Sequence, residues 1–147
     1  MKSWILTSLL AALFFGIYNI FTKLAAGRLS DSLAAFVVEF SAAALLMGYI
    51  LTASSLRDDL VKANPWGIFY AVLAGICVAA GSVLYFNTFR NEGTLSVAGT
   101  VVWAGSTFIV ISAGLILFKE KLDLLTASGF ILTLAGIAIL SFAVSRN

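Results

Sequence analysis

The chain has 147 residues, of which 61% are apolar and 11% are charged, and its formal net charge is +2. A soluble domain has about 45–50% apolar and about 25% charged residues. This composition, with a mean hydropathy of +1.06, excludes an ordinary soluble domain, and the small charge without a basic run gives no reason to expect nucleic-acid binding.

Five apolar blocks follow one another along the chain, each about 19–25 residues long, which is the length a helix needs to cross a bilayer. In chain order they are Trp4–Thr22, Leu33–Ala53, Trp66–Phe89, Leu95–Phe118 and Leu124–Val144. The connections are too short to hold a soluble domain. We therefore predict an all-α integral membrane protein of five transmembrane helices, a single domain over residues 1–147, located as a multi-pass protein in the inner cell membrane.

The ends of the blocks carry residues typical of a membrane interface. Trp4 and Trp66 lie at block starts on the same predicted side, where interfacial anchors occur. Pro65 suits the first turn of the third helix. The alternative for the first block is a signal peptide, but Lys23 and Arg28 follow it without a clear cleavage site, so we expect a retained first span.

Lysine and arginine are almost evenly divided between the two sides of the predicted topology. Since orientation follows the difference between the sides, a difference of one predicts insertion both ways and an antiparallel homodimer. The alternative is a single orientation fixed by other cues. An odd number of spans also fits one half of an inverted-repeat transporter. The five residues on the N-terminal side are Lys2, Arg57, Lys62, Lys119 and Lys121, and the four opposite are Lys23, Arg28, Arg90 and Arg146.

Glu39 is the one charged residue inside the second block. A charge in the bilayer interior is costly unless it is paired, protonated or facing a polar cavity, so such a residue is a candidate functional site. It lies about 9 Å from the block start at ~1.5 Å per residue. The polar or aromatic residues expected at a similar depth are Asn19, Ser82, Tyr85, Thr100 and Trp103. We predict that they line a cavity in which Glu39 binds substrate or a proton.

Simpler interpretations stay open for each of these residues. The simpler interpretation of Glu39 is a salt bridge with Lys23 or a hydrogen-bonded structural acid. Asn19 hydrogen-bonds between helices, and Tyr85 and Trp103 take part in ordinary packing. Lys23 extends from a helix end toward the interface.

Small residues in the last three blocks predict close helix contacts, within the chain or across a dimer. They are Gly75, Gly81, Gly99, Gly105, Gly129 and Gly136. Cys77 is the single cysteine, which we expect to be a small buried hydrophobe. The sequence has no histidine, no metal-ligand cluster and no nucleophile constellation, so we expect no enzyme activity, no metal and no cofactor.

Three stretches resemble a known family. They are Phe15-Gly16 with Asn19 and Lys23; Tyr85-Phe86-Asn87-Thr88-Phe89-Arg90 with Ser96 and Ala98; and Phe118-Lys119-Glu120-Lys121-Leu122 with Gly129 and Leu134-Ala135-Gly136-Ile137. In these three stretches and in their order along the sequence, the chain resembles the drug/metabolite transporter superfamily, specifically one EamA-type repeat. The resemblance implies a transporter or exporter of small metabolites, often amino acids. Full-length members have two inverted five-helix repeats, so a single repeat implies a dimer.

Two departures from the family pattern affect the expected substrate. Many members have an arginine at about the position of Glu39, and a proline common in the fourth helix is absent from Trp103–Val110. An acid is more similar to the small multidrug resistance proteins, which favours cationic or zwitterionic substrates or proton coupling. The predicted function is therefore a proton-coupled secondary transporter working by alternating access. The alternatives are a lipid-linked-sugar flippase subunit and a non-transport membrane module.

Overall fold

A computed structural model describes residues 3–53, 63–121 and 123–145, and its elements within those ranges are five α-helices. They are α1 (Ser3–Ala25), α2 (Asp31–Thr52), α3 (Pro65–Arg90), α4 (Leu95–Ile116) and α5 (Leu124–Ser145). The predicted all-α class and the five helices are confirmed. Four charged residues used in the count of sides, Lys2, Arg57, Lys62 and Arg146, lie outside the described residues.

The helix ends differ from the predicted block ends by at most three residues, because a helix is bounded by its backbone hydrogen bonds whereas hydropathy marks only the apolar section. The start of α3 is well defined. Pro65 is its first residue, and the Asn64 side chain accepts a hydrogen bond from the Trp66 backbone N–H at 2.9 Å. An asparagine N-cap and a proline in the first turn are both favoured at a helix start, so the prediction for Pro65 is confirmed.

The turn after α1 depends on a glycine. Gly27 has a φ of 78°, a left-handed conformation that glycine adopts without steric cost. The Ala26 N–H donates to the Thr22 carbonyl at 2.9 Å, and the Arg28 N–H donates to the Ala25 carbonyl at 3.1 Å. These bonds end the helix and lead the chain into α2 within a few residues.

Helices α1 to α4 are each long and apolar enough to cross a membrane. In α5 the described apolar stretch is shorter, Leu124–Leu140. The fifth helix is thus present as predicted, and its crossing of the bilayer stays a prediction.

The chain divides into two compact units. The first, called here the α2–α3 unit, is Phe21–Asn91 and contains α2, α3 and the last turn of α1. The second, called here the α4–α5 unit, is Met1–Ile20 with Glu92–Asn147. The prediction that residues 1–147 form a single domain stays a prediction.

In the α2–α3 unit, α2 packs against α3. The core of this unit contains Ala34, Ala35 and the fully buried Phe86. Two alanines opposite one large ring let the helix backbones approach closely, which is how membrane helices gain packing energy where lipid is as apolar as the side chains. The pairing of α2 with α3 is therefore fixed at this point.

In the α4–α5 unit, α4 packs against α5. The chain after α4 folds back over the end of that helix, since the Glu120 N–H donates to the Gly114 carbonyl at 3.0 Å. Gly114 is buried, and a Cβ built on it would lie 2.8 Å from Glu120 Oε2. Lys119 has a φ of 52° in this turn, so the loop reverses sharply before α5.

Most of the glycines predicted to mark helix contacts face open space. A Cβ at Gly75, Gly81, Gly105, Gly129 or Gly136 would meet nothing within 4 Å. The described contacts of the chain therefore do not use these five positions, and a contact with a second copy stays a prediction. Gly99 is the exception, because it is buried.

Cys77 corrects a prediction. It lies on α3 with its side chain exposed, whereas a buried hydrophobe was expected. The physical reason is that the described contacts cover the other end of α3, where the buried residues are Ser82, Tyr85, Phe86 and Phe89.

Candidate functional site

Glu39 lies in the α2–α3 unit beside a hydroxyl of α3. The Ser82 Oγ donates to Glu39 Oε1 at 2.7 Å. Ser82 is buried and Glu39 is partly buried. A serine hydroxyl that donates to a carboxylate makes a charge-assisted hydrogen bond, which is among the stronger kinds. The acid in the membrane helix thus has a fixed partner on the next helix.

Tyr85 lies one helical turn after Ser82 on α3. Lys23, near the end of α1, contacts Phe89, which lies two turns after Ser82. The buried Tyr85 ring packs on Phe89 with centroids 4.7 Å apart. Lys23 Nζ donates to the Phe89 carbonyl at 3.4 Å and lies 5.3 Å from the Phe89 ring centroid, a cation–π distance. These contacts fit the interpretation of Lys23 as a helix-end residue, and its predicted salt bridge with Glu39 stays a prediction.

A second acid at the start of α2 was not singled out from the sequence. Asp31 Oδ2 accepts from Arg90 Nη2 and from Asn87 Nδ2, each at 2.9 Å. Asp31 is 8% exposed, and its Oδ1 is buried with no hydrogen-bond partner among the residues that the structure describes. The available signal was the pair of opposite charges at the start of one block and the end of the next, on one predicted side.

The α4–α5 unit contains a wide-open cavity of about 480 Å³. Its lining includes Asn19, Trp103 and Thr100, three residues predicted for a site. The Trp103 Nε1–H donates to Asn19 Oδ1 at 3.1 Å. The Phe15 ring packs on Trp103 with centroids 5.3 Å apart. The indole is therefore held on two sides, and the volume falls in the range of small-molecule sites.

The polar groups of the cavity are uncharged, since its described lining contains no Asp, Glu, Lys or Arg. Thr100, Thr107 and Thr133 each donate their hydroxyl hydrogen to a carbonyl of their own helix, at 2.6, 2.9 and 2.9 Å. A hydroxyl whose hydrogen is used in this way can still accept a hydrogen bond. Sequence reasoning missed Thr107 and Thr133. The lining residues are Gly16, Asn19, Leu95, Ser96, Gly99, Thr100, Trp103, Ala104, Thr107 and Thr133.

The six predicted site residues thus fall into two groups. Glu39 and Ser82 are hydrogen-bonded in the α2–α3 unit, where Tyr85 also lies. Asn19, Thr100 and Trp103 line one cavity in the α4–α5 unit. Their roles in binding, and the single polar layer expected for all six, stay predictions.

A scan against protein families matches residues 2–142 to the EamA-like transporter family. This match covers nearly the whole chain and includes both groups of polar residues. The chain belongs to the EamA-like transporter family. A search of curated proteins finds no match, and a search of solved structures finds none either.

Membership of the EamA-like family confirms the predicted drug/metabolite transporter class. The protein is a multi-pass membrane protein and a membrane transporter of this type, with a small-molecule substrate and the lipid bilayer as its surroundings. The similarity to small multidrug resistance proteins stays a prediction.

Proposed function

We propose that this EamA-like protein is a secondary transporter of small metabolites or drugs that carry an ammonium group, amino-acid-like, zwitterionic or cationic. It exchanges or exports them against protons by alternating access, as an antiparallel homodimer in the inner cell membrane. The observation that carries the proposal is Glu39, a carboxylate inside an apolar helix with the buried Ser82 hydroxyl on one of its oxygens.

Glu39 suits the exchange of a proton for a cation because of its position. It lies eight residues into α2, about 12 Å from the helix start. Ser82 satisfies Oε1, and the side chain is only partly buried. An intramembrane carboxylate that faces a polar space exchanges a proton or a cation at much lower cost than one facing lipid. Competition between the two for one carboxylate is the simplest form of coupling.

The cavity of the α4–α5 unit supports the same class of substrate. The free lone pairs on Thr100, Thr107 and Thr133 accept hydrogen bonds, and an ammonium group supplies three donors. The indole of Trp103 attracts a cation to its face. No positive side chain lies in the described lining to repel the ligand.

The dimer is supported by the charge distribution. Lysine and arginine differ by one between the two predicted sides, which gives little force to orient a single copy. The glycine positions of α3, α4 and α5 that face open space would allow close approach of a second copy. Two copies in opposite orientations would reproduce the inverted repeats on which many transporters are built.

The test is substrate-driven proton flux in liposomes that contain the purified protein. We expect a panel of amine and amino-acid compounds to include one that drives flux, and Glu39→Gln to abolish the coupled flux while the protein still folds. Glu92→Gln is the matched control, since Glu92 is an exposed carboxylate in the connection after α3. Full coupled flux in Glu39→Gln would overturn the role of Glu39.

The partner state separates this function from the alternatives. Chemical cross-linking of the protein in membranes should yield a homodimer. A different chain that co-purifies in place of the second copy would favour a flippase subunit. The absence of flux with every compound tested would favour a non-transport membrane module.

A further inference from the structure

The α2–α3 unit contains a second polar contact between its two helices besides Glu39 and Ser82. The carboxylate of Asp31, at the first position of α2, pairs with Arg90 and Asn87 in the last turn of α3. We propose that Asp31, Asn87 and Arg90 form a latch that sets the register of α2 on α3 and so positions the Ser82 hydroxyl on Glu39. The inference rests on the proposed function for the role of Glu39, but its geometry does not.

The spacing of the contacts supports the latch. Glu39 follows Asp31 by eight positions on α2, and Arg90 follows Ser82 by eight positions on α3. The two helices therefore run antiparallel with equal spacing, and both contacts belong to one register. A shift of α2 along α3 that broke the ion pair would also draw the Ser82 hydroxyl away from the carboxylate. The two oxygens are 2.7 Å apart, and an O–H···O hydrogen bond is lost when they separate by much more than this.

The packing between the two contacts transmits such a shift. Ala34 and Ala35 of α2 and the fully buried Phe86 of α3 lie between them along the helices. Side chains in close contact pass on a displacement because protein interiors contain few voids that could absorb it. A displacement at Asp31 is therefore passed along α2 to Glu39.

The energetics make Arg90 the controlling residue of the latch. Asp31 is 8% exposed, and its second oxygen, Oδ1, is buried without a partner among the described residues. The carboxylate thus depends on Arg90 and Asn87 to offset its burial. When Arg90 is lost, a buried charge is left without its counter-ion, whereas Arg90 is half exposed and remains solvated when Asp31 is lost.

A hydrophobic carbodiimide that modifies membrane carboxyls tests the inference without requiring transport. The rate of Glu39 modification, followed by mass spectrometry of the full chain in membranes, reports how well its carboxylate is held. We expect Ser82→Ala and Arg90→Gln each to raise the rate several-fold, and the double variant to be no faster than the faster single variant. Such non-additivity is the mark of two residues that act through one contact.

Controls distinguish positioning from a general loss of structure. Arg90→Lys keeps a cation beside Asp31, so its rate of Glu39 modification should stay close to that of the wild type. Arg28→Gln removes an exposed cation from the connection before α2 and should leave it unchanged. Asp31→Asn removes the charge of the same pair from the other helix and should raise the rate in the same direction, but less than Arg90→Gln, which covers the case in which Arg90→Gln fails to insert.

Three results would overturn the latch. One is a wild-type rate in Arg90→Gln or Asp31→Asn, and another is multiplication of the two single effects in the double variant. The third is a wild-type rate in Ser82→Ala. If the rates behave as expected while Glu39→Gln keeps full proton-coupled flux, the latch stands and the proposed coupling role fails.

Discussion

The two units of this protein satisfy their polar groups in different ways. In the α2–α3 unit two carboxylates bind polar side chains of the neighbouring helix, as Glu39 does with Ser82 and Asp31 with Arg90. In the α4–α5 unit the threonine hydroxyls bind carbonyls of their own helix. The first arrangement fixes one helix on another, and the second leaves polar atoms available to a ligand.

The difference follows from charge. A carboxylate in an apolar segment needs a donor from another element, because its own helix presents carbonyl acceptors along its length and no free N–H groups beyond the first turn. A hydroxyl finds an acceptor four residues back on its own helix. The paired carboxylates of the α2–α3 unit are therefore expected to respond to the loss of a single partner more strongly than the uncharged cavity lining of the α4–α5 unit, and the following predictions test this contrast.

The largest effect on stability is expected at the latch. Arg90→Gln should lower the free energy of unfolding by about 2–4 kcal/mol, since it leaves the buried Asp31 carboxylate without its counter-ion. Asp31→Asn should cost less. Denaturation in detergent measures both. An equal loss of unfolding free energy in the two variants would mean that the burial of the Asp31 charge does not determine the stability of the ion pair.

The core between the two contacts should come next. Phe86→Ala should cost at least about 2 kcal/mol, because Phe86 is 0% exposed and its removal leaves a cavity between α2 and α3. Phe108→Ala in α4 is the matched control, since Phe108 is 55% exposed. The same denaturation assay should show little change for the control, and similar losses in both variants would contradict the packing described for α3.

The cavity of the α4–α5 unit should respond more in binding than in stability. Trp103→Phe keeps an aromatic ring but removes the Nε1–H donor to Asn19, a bond with a net value of about 0.5–1.5 kcal/mol. We expect the KM for the transported compound to rise several-fold with little change in kcat. Trp66→Phe, at the exposed start of α3, should leave both unchanged, and an unchanged KM in Trp103→Phe would remove the cavity from the binding site.

The smallest effect is expected at the start of α5, outside the membrane spans. The Thr126 hydroxyl, and then its backbone N–H at 2.8 Å from Asp123 Oδ1, lower the pKa of Asp123 below its ordinary value. Because the folded pKa is depressed, the stabilisation is present above the unfolded pKa and is lost as the pH falls through the folded pKa.

Asp123→Asn should remove that pH dependence while keeping an oxygen that accepts from the Thr126 N–H. Amide hydrogen exchange at Thr126, compared between the wild type and the variant at each pH, measures the difference. Curves that stay parallel down to acid pH would show that the Asp123 charge does not hold the start of α5.

Several residues of the candidate site were predictable because the energetic cost of a polar group in an apolar segment is evident from the neighbouring residues in the sequence. Glu39 is anomalous in any apolar segment, and the helical rise alone places Ser82 at a matching depth. The same depth estimate predicts Asn19, Trp103 and Thr100, which line one cavity. Depth could not divide the residues between the two units, because helix length gives the height of a residue and not the neighbour that it faces.

Asp31 and Thr133 show what such an estimate leaves out. In the sequence Asp31 is an ordinary loop charge, and its burial depends on the last turn of α3 lying beside it. Thr133 lies in a helix with no charge and no periodic polar face, so only the packing of α4 on α5 brings it to the cavity. The open space around Gly129 and Gly136 is equally a matter of packing.

The sequence by itself determined the membrane class, the five helices, their approximate bounds and the family, because hydrophobic length and short-range order are properties of the chain. Only the tertiary structure decided which polar groups meet. Glu39 gained Ser82, and Arg90 gained Asp31, through contacts between residues 43 and 59 positions apart. In a membrane any apolar helix face can contact lipid at little cost, so hydropathy does not predict which faces pack together. Side-chain fit and hydrogen bonds between helices determine the packing.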